Sequence, residues 1–343
     1  MTIFVTGIAG FIGSNFALNW INESDEEIIG IDKLTYAGNI ENLSKIEGNK
    51  RFKFFKGDIC DSLQVSKLFD KYKPRVVIHF AAESHVDRSI SGPDEFIQTN
   101  IVGTFNLLKC SNKFFTTLDG NEKENFRFLH VSTDEVYGTL TSTELPFSEE
   151  HPYKPNSPYS ASKASSDHLV RSWNHTYGLP TLTTNCSNNY GPFQFPEKLI
   201  PLCILNALEG KELPLYGDGL QIRDWLYVGD HCDGIKKVIE KGIIGQTYNI
   251  GGENEMTNLQ IVNILCEILD KLKPRNDKNS YKSQISFIKD RPGHDRRYAI
   301  NSKKITNTLN WRPKESFLSG IQKTVEWYLS NEQWISNVKL KSQ

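Results

Sequence analysis

Short apolar runs alternate with amphipathic segments along the first half of the chain. The apolar runs read TIFVTG, EEIIGID, RVVIHFAA and FRFLHV, and the segments between them include FIGSNFALNWINE and DSLQVSKLFDKY. Apolar runs of this length indicate strands buried on both faces, and the amphipathic segments indicate helices that cover them. The alternation therefore predicts an α/β fold in which a doubly wound parallel sheet carries helices on both faces.

The pattern changes at about residue 188, where loops that contain proline and aromatic residues begin. Two later apolar runs, WLYVGD and TYNIGG, are predicted to return to the main sheet. We therefore predict a sheet domain built from residues 1–187 and 224–250. A smaller, discontinuous domain is predicted for residues 188–223 and 251–330.

The charge balance excludes several classes of partner. The chain has 343 residues, with 40 basic and 41 acidic side chains and a formal net charge of −1. This balance creates no global field that attracts nucleic acid or an anionic membrane, so neither is expected as a partner. No apolar run reaches the roughly 20 residues that span a bilayer, and the first strand begins without a signal segment. The sequence predicts a soluble, cytoplasmic protein.

The cysteines and histidines show no metal-binding pattern. The six cysteines are scattered, without a C-x-x-C pair or a histidine at zinc-ligand spacing: Cys60, Cys110, Cys186, Cys203, Cys232 and Cys266. They are predicted to be reduced thiols. His85 and Asp87, in SHVDRS, resemble a ligand pair, but no third ligand has a matching spacing. No metal site is expected.

The first chemical signal is a glycine-rich turn between the first predicted strand and helix. In TGIAGFIG, Gly7, Gly10 and Gly13 let the turn tighten and let a pyrophosphate approach backbone N–H groups at a helix N-terminus. Spaced glycines also occur in ordinary turns. Asp32, which ends the second strand about 20 residues later, is expected to accept hydrogen bonds from ribose hydroxyls and to repel a 2′-phosphate. A helix N-cap is the alternative role for Asp32, but the combination favours a Rossmann-type site for NAD rather than NADP.

The second signal is the segment YSASK, in which Tyr159 and Lys163 are four residues apart. On a helix this spacing puts the ammonium and the phenol on one face. A phenol has an ordinary pKa near 10, and a neighbouring cation favours its phenolate, which can then take a proton from a hydroxyl group. Such a pair is also common on helix surfaces, but its position after the glycine turn and the ribose acid favours a catalytic role.

The third signal is STDEVYG, at 132–138, where an apolar strand ends in two adjacent carboxylic acids. Successive side chains of a strand point to opposite faces, so Asp134 and Glu135 can reach one ligand only if the strand has ended or twisted by Thr133. The carboxyl end of a parallel strand is where open α/β sheets bind ligands. The alternative is that the two acids cap the next element.

At these motifs the chain resembles the extended short-chain dehydrogenase/reductases that act on nucleotide sugars, and among them the 4,6-dehydratases. The resemblance covers residues 2 to about 328 and rests on TGIAGFIG, DKLTYAGN, FAAESHVDRSI, STDEVYG, SPYSASKASSDHLV, NCSNNYGPFQFPEKLIPL, QIRDWLYVGDH and DRPGHDRRYAI. The sequence diverges chiefly in 116–127 and 273–284, which are predicted to be exposed loops. The resemblance implies a Rossmann-type NAD domain, a smaller C-terminal substrate domain, and a homodimer formed through helices of the NAD domain.

The resemblance also implies a reaction. NAD oxidises C4 of a hexose, water leaves across C5 and C6, and the hydride returns to C6, which gives a 4-keto-6-deoxy sugar. Once C4 is a ketone the C5 proton is acidic, so one group must remove it while another protonates the departing 6-hydroxyl. Two carboxyl groups in different protonation states meet that requirement.

By matched motif positions, the resemblance assigns a role to each candidate catalytic residue. Glu135 is implied as the base at C5 and Asp134 as the acid at O6. Thr133 is implied to hydrogen-bond the C4 oxygen, with Tyr159 as the base for the initial oxidation and Lys163 positioning cofactor and phenol. For Asp134 to be protonated near neutral pH, burial or a neighbouring carboxylate must raise its pKa.

Matched positions further imply the ligand contacts. The implied NAD contacts, besides the three glycines and the Tyr–Lys pair, are Phe11, Ile12, Asp32, Lys33, Leu34, Thr35, Asp58, Ile59, Ala81, Ala82, Ser84, Thr99 and Asn189. The implied contacts with the nucleotide sugar, besides Thr133, are Ser84, Asn188, Lys198, Leu199, Pro214, Leu215, Tyr216, Arg223, Asn258, Arg291 and His294. Guanidinium binds phosphate oxygens bidentately, so Arg223 and Arg291 are implied partners of the diphosphate, and Tyr216 is an implied stacking partner of the pyrimidine. Taken alone, each arginine fits a solvated surface and the tyrosine fits core packing.

The implied substrate is dTDP-glucose, and several alternatives stay open. UDP-glucose is one, because a single methyl group in an apolar pocket discriminates by only ~1–3 kcal/mol. A nucleotide-sugar 4-epimerase or decarboxylase of the same fold needs no acid–base pair after the threonine, and a GDP-mannose dehydratase matches the C-terminal segments less well. A catalytically silent NAD-sensing protein has no need for Tyr159, Lys163 and the paired acids. Rhamnose for surface polysaccharide is the leading expectation for the use of the product.

Overall fold

The structure is a computed structural model, and it describes residues 1–341. Its strands are β1 (Thr2–Thr6), β2 (Glu27–Asp32), β3 (Phe52–Lys56), β4 (Val76–His79), β5 (Arg127–Thr133), β6 (Thr181–Cys186), β7 (Asn188–Tyr190), β8 (Leu213–Tyr216), β9 (Ile222–Tyr227), β10 (Thr247–Ile250), β11 (Glu255–Thr257) and β12 (Ile285–Ile288). Its α-helices are α1 (Phe11–Glu23), α2 (Ser62–Tyr72), α3 (Val86–Ser91), α4 (Asp94–Phe96), α5 (Thr104–Phe115), α6 (Gly120–Asn125), α7 (Pro158–Tyr177), α8 (Leu199–Leu208), α9 (Val228–Lys241), α10 (Asn258–Leu272), α11 (Lys303–Leu309), α12 (Phe317–Ser330) and α13 (Glu332–Lys341). Turns of 3₁₀ helix lie at Ile40–Ile46, Asp134–Tyr137 and Tyr281–Gln284, and a π-helical turn, Ile97–Gly103, joins α4 to α5. Within residues 1–341, every helix is too short or too polar to cross a membrane.

Seven strands form one parallel sheet in the order β10-β6-β5-β4-β1-β2-β3. In β1, Phe4 is paired with Ile29 of β2 on one side and with Val77 of β4 on the other. The chain winds outward from β1 in both directions, so the strand order reverses between β1 and β4. Open sheets bind ligands in the crevice outside the carboxyl ends of the strands at such a reversal. The predicted doubly wound sheet is confirmed.

Local sequence sets both ends of α7, the helix that carries the Tyr–Lys motif. Ser157 is its N-cap and forms a capping box with the serine three residues on, and Pro158 occupies the first helical position. Gly178 ends the helix with a φ of 68°, which costs glycine little. With these boundaries Tyr159 lies in the first turn, and Lys163 follows one turn later on the same face.

A second apolar core lies outside the main sheet. It contains residues of α8, α10, α12 and α13, together with strands of two small sheets, β11-β9-β7 and β12-β8. The strand β9 belongs to both cores, because Trp225 packs into the second core while Leu226 packs into the core of the main sheet. Adjacent strand residues face opposite sides, so β9 lies between the two cores.

The prediction that both WLYVGD and TYNIGG return to the main sheet is wrong for the first of them. TYNIGG forms β10, which pairs with β6 at the edge of the sheet. WLYVGD instead passes through β9, which pairs with β7 and β11, into α9. A strand with a different core on each face is apolar on both faces, so its sequence resembles that of a strand of the main sheet.

The segment 116–127 is not wholly a loop, because it contains α6. None of the side chains of this helix is buried. A helix without an apolar face has no hydrophobic periodicity, so the sequence pattern could not reveal it.

Candidate active site

A cleft of about 300 Å³ opens at the carboxyl ends of the central strands. Its wall includes residues that follow or end five strands of the sheet, among them Gly7 after β1, Asp32 of β2, Ala81 after β4, Thr133 of β5 and Cys186 of β6. The cleft therefore lies at the strand reversal, where ligands of open α/β sheets bind.

The glycine-rich turn forms one end of this cleft, and two of its positions admit no side chain. Gly7 has a φ of +67°, and a Cβ there would lie 2.6 Å from the backbone nitrogen of Ala81. A Cβ on Gly13 would lie 2.3 Å from the carbonyl oxygen of Gly7. The turn thus packs backbone against backbone and leaves the first N–H groups of α1 bordering the cleft, which fits a pyrophosphate group.

Asp32 lies at the end of β2 and fixes the same turn. One carboxylate oxygen accepts a hydrogen bond of 2.9 Å from the N–H of Ala9, and the other accepts one of 2.8 Å from the N–H of Leu34. Burial raises the pKa of this carboxyl, and the two N–H groups oppose that rise. The 3₁₀ turn that follows begins only at Ile40, so Asp32 is not a helix N-cap. Its position fits the predicted contact with a ribose.

The paired acids follow the last residue of a strand. β5 ends at Thr133, and Asp134 begins a turn of 3₁₀ helix that ends before Gly138. The Thr133 hydroxyl accepts a hydrogen bond of 3.3 Å from the N–H of Glu135 and lies 3.4 Å from a carboxyl oxygen of Asp134. Because the strand has ended, both acids border the cleft. The geometric condition set by the alternation of strand side chains is met.

The surroundings of the two acids differ in charge. Asp134 is 1% exposed, and burial raises its pKa well above the ordinary value, with the neighbouring Glu135 raising it further. Burial also raises the pKa of Glu135, but three cations oppose that rise: Lys198, Arg223 and Arg291. The arrangement therefore favours a protonated Asp134 beside an ionised Glu135.

Tyr159 and Lys163 both line the cleft, but the expected effect of the lysine on the phenol is wrong for this structure. Burial raises the pKa of Tyr159 well above its ordinary value, and the charge of Glu135 adds to that rise. A hydrogen bond between the Tyr159 hydroxyl and Thr133 opposes this rise in the pKa. The ammonium of Lys163 donates instead to the carbonyl oxygen of Val131, at 2.9 Å. Helical spacing puts the two side chains on one face but does not decide which acceptor the ammonium chooses.

Two further buried polar residues lie behind Lys163. Its Nζ is 3.5 Å from Nε2 of His130, and that nitrogen is 3.1 Å from a carboxylate oxygen of Asp167. The other carboxylate oxygen of Asp167 accepts a hydrogen bond of 2.9 Å from the hydroxyl of Ser132. Burial lowers the pKa of Lys163 to about 8, and the charge of Asp167 opposes that fall. Burial raises the pKa of Asp167 to about 6.

Nearly all of the predicted cofactor residues lie together. Those that line the cleft are Gly7, Gly10, Phe11, Ile12, Gly13, Asp32, Lys33, Thr35, Asp58, Ile59, Ala81, Ala82, Ser84, Thr99, Tyr159, Lys163 and Asn189. Lys33 and Asp58 also form an ion pair of 2.9 Å. Leu34 is not among the lining residues of the cleft. Its side chain packs against the core of the main sheet, while its N–H bonds Asp32.

The predicted substrate residues fall into two groups. Ser84, Thr133, Asn188 and Lys198 line the cleft, and the Lys198 ammonium donates to the carbonyl oxygen of Ser84 at 2.8 Å. Leu199, Pro214, Leu215, Tyr216, Arg223, Asn258, Arg291 and His294 lie beyond its wall, on or beside the small sheets and the first turns of α8 and α10.

An aromatic and cationic cluster belongs to the second group. The rings of Tyr216 and His294 are 6.0 Å apart, and the Arg291 guanidinium lies 5.5 Å from the centre of the Tyr216 ring. Arg223 is 5% exposed, so it is not a solvated surface arginine. One of its nitrogens donates to the carbonyl oxygen of Asp295 at 3.0 Å. In residues 1–341 no group of three or more His, Cys, Asp or Glu side chains is arranged to hold a metal ion.

Sequence reasoning missed three residues near the acids. Cys186 lines the cleft, and its thiol donates to the carbonyl oxygen of Ser132 at 3.3 Å. Glu197 also lines it and accepts a hydrogen bond of 3.1 Å from the hydroxyl of Tyr36. Tyr298 lies with its ring centre 4.3 Å from the guanidinium of Arg223. Each lies inside a motif that was already singled out, NCSNNYG, FPEKLI or DRRYAI, so the signal was the motif itself.

Comparisons with known proteins give one consistent result. The family model described as GDP-mannose 4,6 dehydratase matches residues 4–324. The dTDP-glucose 4,6-dehydratase of Salmonella typhimurium is 57% identical over 347 aligned residues, which cover 99% of this chain and 96% of that protein. A crystal structure of dTDP-glucose 4,6-dehydratase from Bacillus anthracis in complex with NAD has a TM-score of 0.86 at 45% identity, covering 98% of this chain and 99% of that one. A crystal structure of the dTDP-glucose 4,6-dehydratase from Streptomyces venezuelae with NAD bound has a TM-score of 0.89 at 42% identity, and the match covers 98% of this chain and 100% of that one. The chain belongs to the dTDP-glucose 4,6-dehydratase family, within the larger group that the GDP-mannose 4,6-dehydratase model describes.

Proposed function

We propose that the protein is an NAD-dependent dTDP-glucose 4,6-dehydratase, a lyase that removes water from the hexose and forms dTDP-4-dehydro-6-deoxy-glucose. The observation that carries the proposal is the acid pair at the end of β5, with Asp134 buried beside Glu135 and the latter facing cations. Elimination across C5 and C6 needs one acid and one base close together, whereas epimerisation at C4 does not. Membership of the dTDP-glucose 4,6-dehydratase family supports the same activity.

The residues of the cleft fit NAD. The first backbone N–H groups of α1, at Phe11 and Ile12, are available to a pyrophosphate, and Asp32 is available to a ribose and repels a 2′-phosphate. When bound, NAD accepts hydride from C4 of the hexose and returns it to C6. No net redox change results, so the same cofactor molecule must stay in place through the reaction.

The protein groups move the protons. Tyr159, in its phenolate form, takes the proton of the C4 hydroxyl, and Thr133, whose interaction with the phenol opposes the rise in its pKa, holds the C4 oxygen. Lys163, whose ammonium donates to the carbonyl oxygen of Val131 and borders the cleft, is proposed to position the cofactor beside the phenol. Glu135 then removes the C5 proton while Asp134 protonates the departing 6-hydroxyl. After elimination the two carboxyl groups have exchanged protonation states.

The nucleotide end of the substrate is assigned to the second core. Arg223 and Arg291 are the proposed partners of the diphosphate, and Tyr216 is the proposed partner of the base, since guanidinium groups and aromatic rings suit these chemistries. The proposed domain division is residues 1–187 with 224–250, and residues 188–223 with 251–330. The boundary between residues 223 and 224 falls within β9, which contributes to both cores.

We further propose a cytoplasmic homodimer. All six cysteines are free thiols, which supports a reducing compartment. Exposed apolar side chains cluster on the helices around α5 and α7, where Ile97 is 46%, Phe105 41% and Tyr177 55% exposed. The ring of Phe105 packs edge-on against Trp173 of α7, at 5.7 Å, so the two helices present one surface. Burying that surface against a second copy would remove apolar area from water.

The proposal is tested by mass spectrometry of the product formed from dTDP-glucose without added reductant, with UDP-glucose in parallel. Loss of one water from dTDP-glucose, with slower loss from UDP-glucose, is expected. Unchanged mass with conversion to a galactose isomer would identify an epimerase. Faster loss of water from UDP-glucose would make uracil the preferred base of the nucleotide substrate. Bound NAD without turnover would indicate a sensing protein.

A further inference from the structure

The last described helix reaches back to the first turn of the chain through one asparagine. The indole N–H of Trp334, on α13, donates a hydrogen bond of 2.7 Å to Oδ1 of Asn42. The amide nitrogen of Asn42 donates a hydrogen bond of 2.9 Å to the carbonyl oxygen of Ala9, in the middle of the glycine-rich turn. We call these two hydrogen bonds the Trp334–Asn42 bridge.

The chemistry of its two ends fixes how the bridge is oriented. An indole N–H only donates and a backbone carbonyl only accepts, so the residue between them must accept on one side and donate on the other. The amide side chain of asparagine meets this requirement, because its oxygen accepts from Trp334 while its nitrogen donates to Ala9. Trp334 and Asn42 are 8% and 2% exposed, so water does not compete freely for either bond.

The bridge and Asp32 hold the two backbone polar groups of Ala9. The N–H of Ala9 donates to Asp32, and its carbonyl oxygen accepts from the N–H of Asn39, at 3.0 Å, as well as from Asn42. Both polar groups of this one residue are therefore fixed. The orientation of Ala9 sets the direction of the N–H groups that follow it in the turn and in the first turn of α1.

The bridge also joins the two cores. Trp334 packs in the second core, with its ring 5.0 Å from that of Trp327 and 6.1 Å from that of Tyr328. Ala9 packs in the core of the main sheet. The position of the C-terminal helix is thus transmitted through two hydrogen bonds to the backbone that faces the cofactor cleft.

We propose that Trp334 and Asn42 are positioning residues for the cofactor site, and that α13 slows the release of NAD by holding the glycine-rich turn in its binding geometry. This inference rests on the proposed function, because it takes NAD as the ligand of the cleft. It adds a device that suits a reaction in which one cofactor molecule must stay bound from the oxidation to the return of the hydride.

The experiment measures NAD release from the full chain. Protein loaded with NAD is mixed with excess isotopically labelled NAD, and the exchange of bound cofactor is followed by mass spectrometry. Trp334→Phe keeps an aromatic ring but removes the N–H donor, and Asn42→Asp keeps an acceptor for Trp334 but removes the donor to Ala9. Each variant is expected to release NAD about three- to tenfold faster, the range that corresponds to one lost hydrogen bond.

Asn337→Ala is the matched control. Asn337 lies on the same helix, one turn from Trp334, and its amide donates to the Glu41 carboxylate at 2.9 Å, beside the bridge but not through it. This variant is expected to release NAD at the rate of the unaltered protein. Thymidine diphosphate binding, measured by calorimetry, is expected to be unchanged in all three variants, whereas a general loss of structure would weaken it.

The possible results separate the two proposals. Unaltered release in both Trp334→Phe and Asn42→Asp, from a protein that binds NAD, would overturn the bridge alone. If Trp334→Phe releases NAD faster while Asn42→Asp releases it at the rate of the unaltered protein, the bridge is also overturned, because the effect would then come from the aromatic packing. If Trp334→Phe does not fold, Asn42→Asp decides the question. An unaltered protein that binds no NAD would overturn both proposals.

Discussion

The ammonium of Lys163 is held by the carbonyl oxygen of Val131, at 2.9 Å, and so takes its place from the strand beneath α7. This backbone acceptor is fixed by the sheet and does not change with pH. The negative charge of Asp167, one helical turn further along α7, opposes the effect of burial on the pKa of Lys163. The charge of the lysine therefore depends on a neighbour that does not touch the substrate site.

Replacement of Asp167 by asparagine is expected to shift the alkaline side of the activity profile. Burial lowers the pKa of Lys163 to about 8, and the ammonium is charged below that value and neutral above it. Without the nearby anion the charged form is less favoured, so the pKa falls further and the alkaline limb of kcat/KM moves to lower pH. The measurement is kcat/KM as a function of pH for Asp167→Asn. Ser165→Ala, at a half-buried position of the same helix, serves as control, and an unmoved limb in Asp167→Asn would remove Asp167 from this role.

Replacements in the acid pair are expected to separate proton removal from the loss of water. In Asp134→Asn, Glu135 still removes the C5 proton, so exchange of that proton with deuterated solvent continues while water loss slows by about 10²- to 10⁴-fold. In Glu135→Gln, exchange and water loss both fall. Mass spectrometry of the sugar recovered from deuterated buffer measures both processes. Equal loss of exchange in the two variants would contradict the assignment of acid and base.

A methyl group at Gly13 is expected to abolish retention of NAD. The Cβ would lie 2.3 Å from the carbonyl oxygen of Gly7, so the turn must open and its N–H groups lose their direction. NAD content after purification and the thermal midpoint are the measurements. Gly92→Ala is the control, since its Cβ meets only the carbonyl oxygen of Arg88, at 3.9 Å. Full NAD content in Gly13→Ala would argue against a pyrophosphate at this turn.

His231 is expected to make the fold sensitive to acid. It is fully buried, and burial lowers its pKa from 6.5 to about 3. A histidine with a depressed pKa contributes stability that is present above its unfolded pKa and is lost as pH falls from about 6.5 towards 3. Relative to the unaltered protein, His231→Gln should lose about 2 kcal/mol less stability between about pH 7.5 and about pH 5. Urea unfolding at the two pH values measures this difference, and His175→Gln, at an exposed site of α7, is the control. If the free energy of unfolding falls by the same amount between the two pH values in all three proteins, His231 does not have this effect.

Much of the fold and of the cofactor cleft was accessible from the sequence because local rules decide them. Gly7 is required by its positive φ, Gly13 by a contact with the backbone of Gly7 in the same turn, and the Tyr–Lys pair by the period of one helix. The roles of Cys186, Glu197 and Asp167 depend on which groups the fold brings beside them. No spacing rule gives that information, even though Asp167 follows Lys163 by the same four residues that separate the lysine from Tyr159.

The two predictions that the structure corrects, for WLYVGD and for the pKa of Tyr159, fail for the same reason. WLYVGD is as apolar as a strand of the main sheet, because β9 meets a different core on each face. The pKa of Tyr159 follows the burial of the phenol and the charge of Glu135, neither of which the spacing of Tyr159 and Lys163 encodes. Tertiary context thus decided what the local pattern left open.

The shared strand β9 has a consequence for how the protein unfolds. Trp225 and Leu226 are consecutive residues, so neither core can lose its part of β9 without disturbing the other. The two parts are therefore expected to melt in one cooperative transition rather than in two steps. A ligand that binds only one of them then protects both, because its binding energy is added to the stability of the whole cooperative unit.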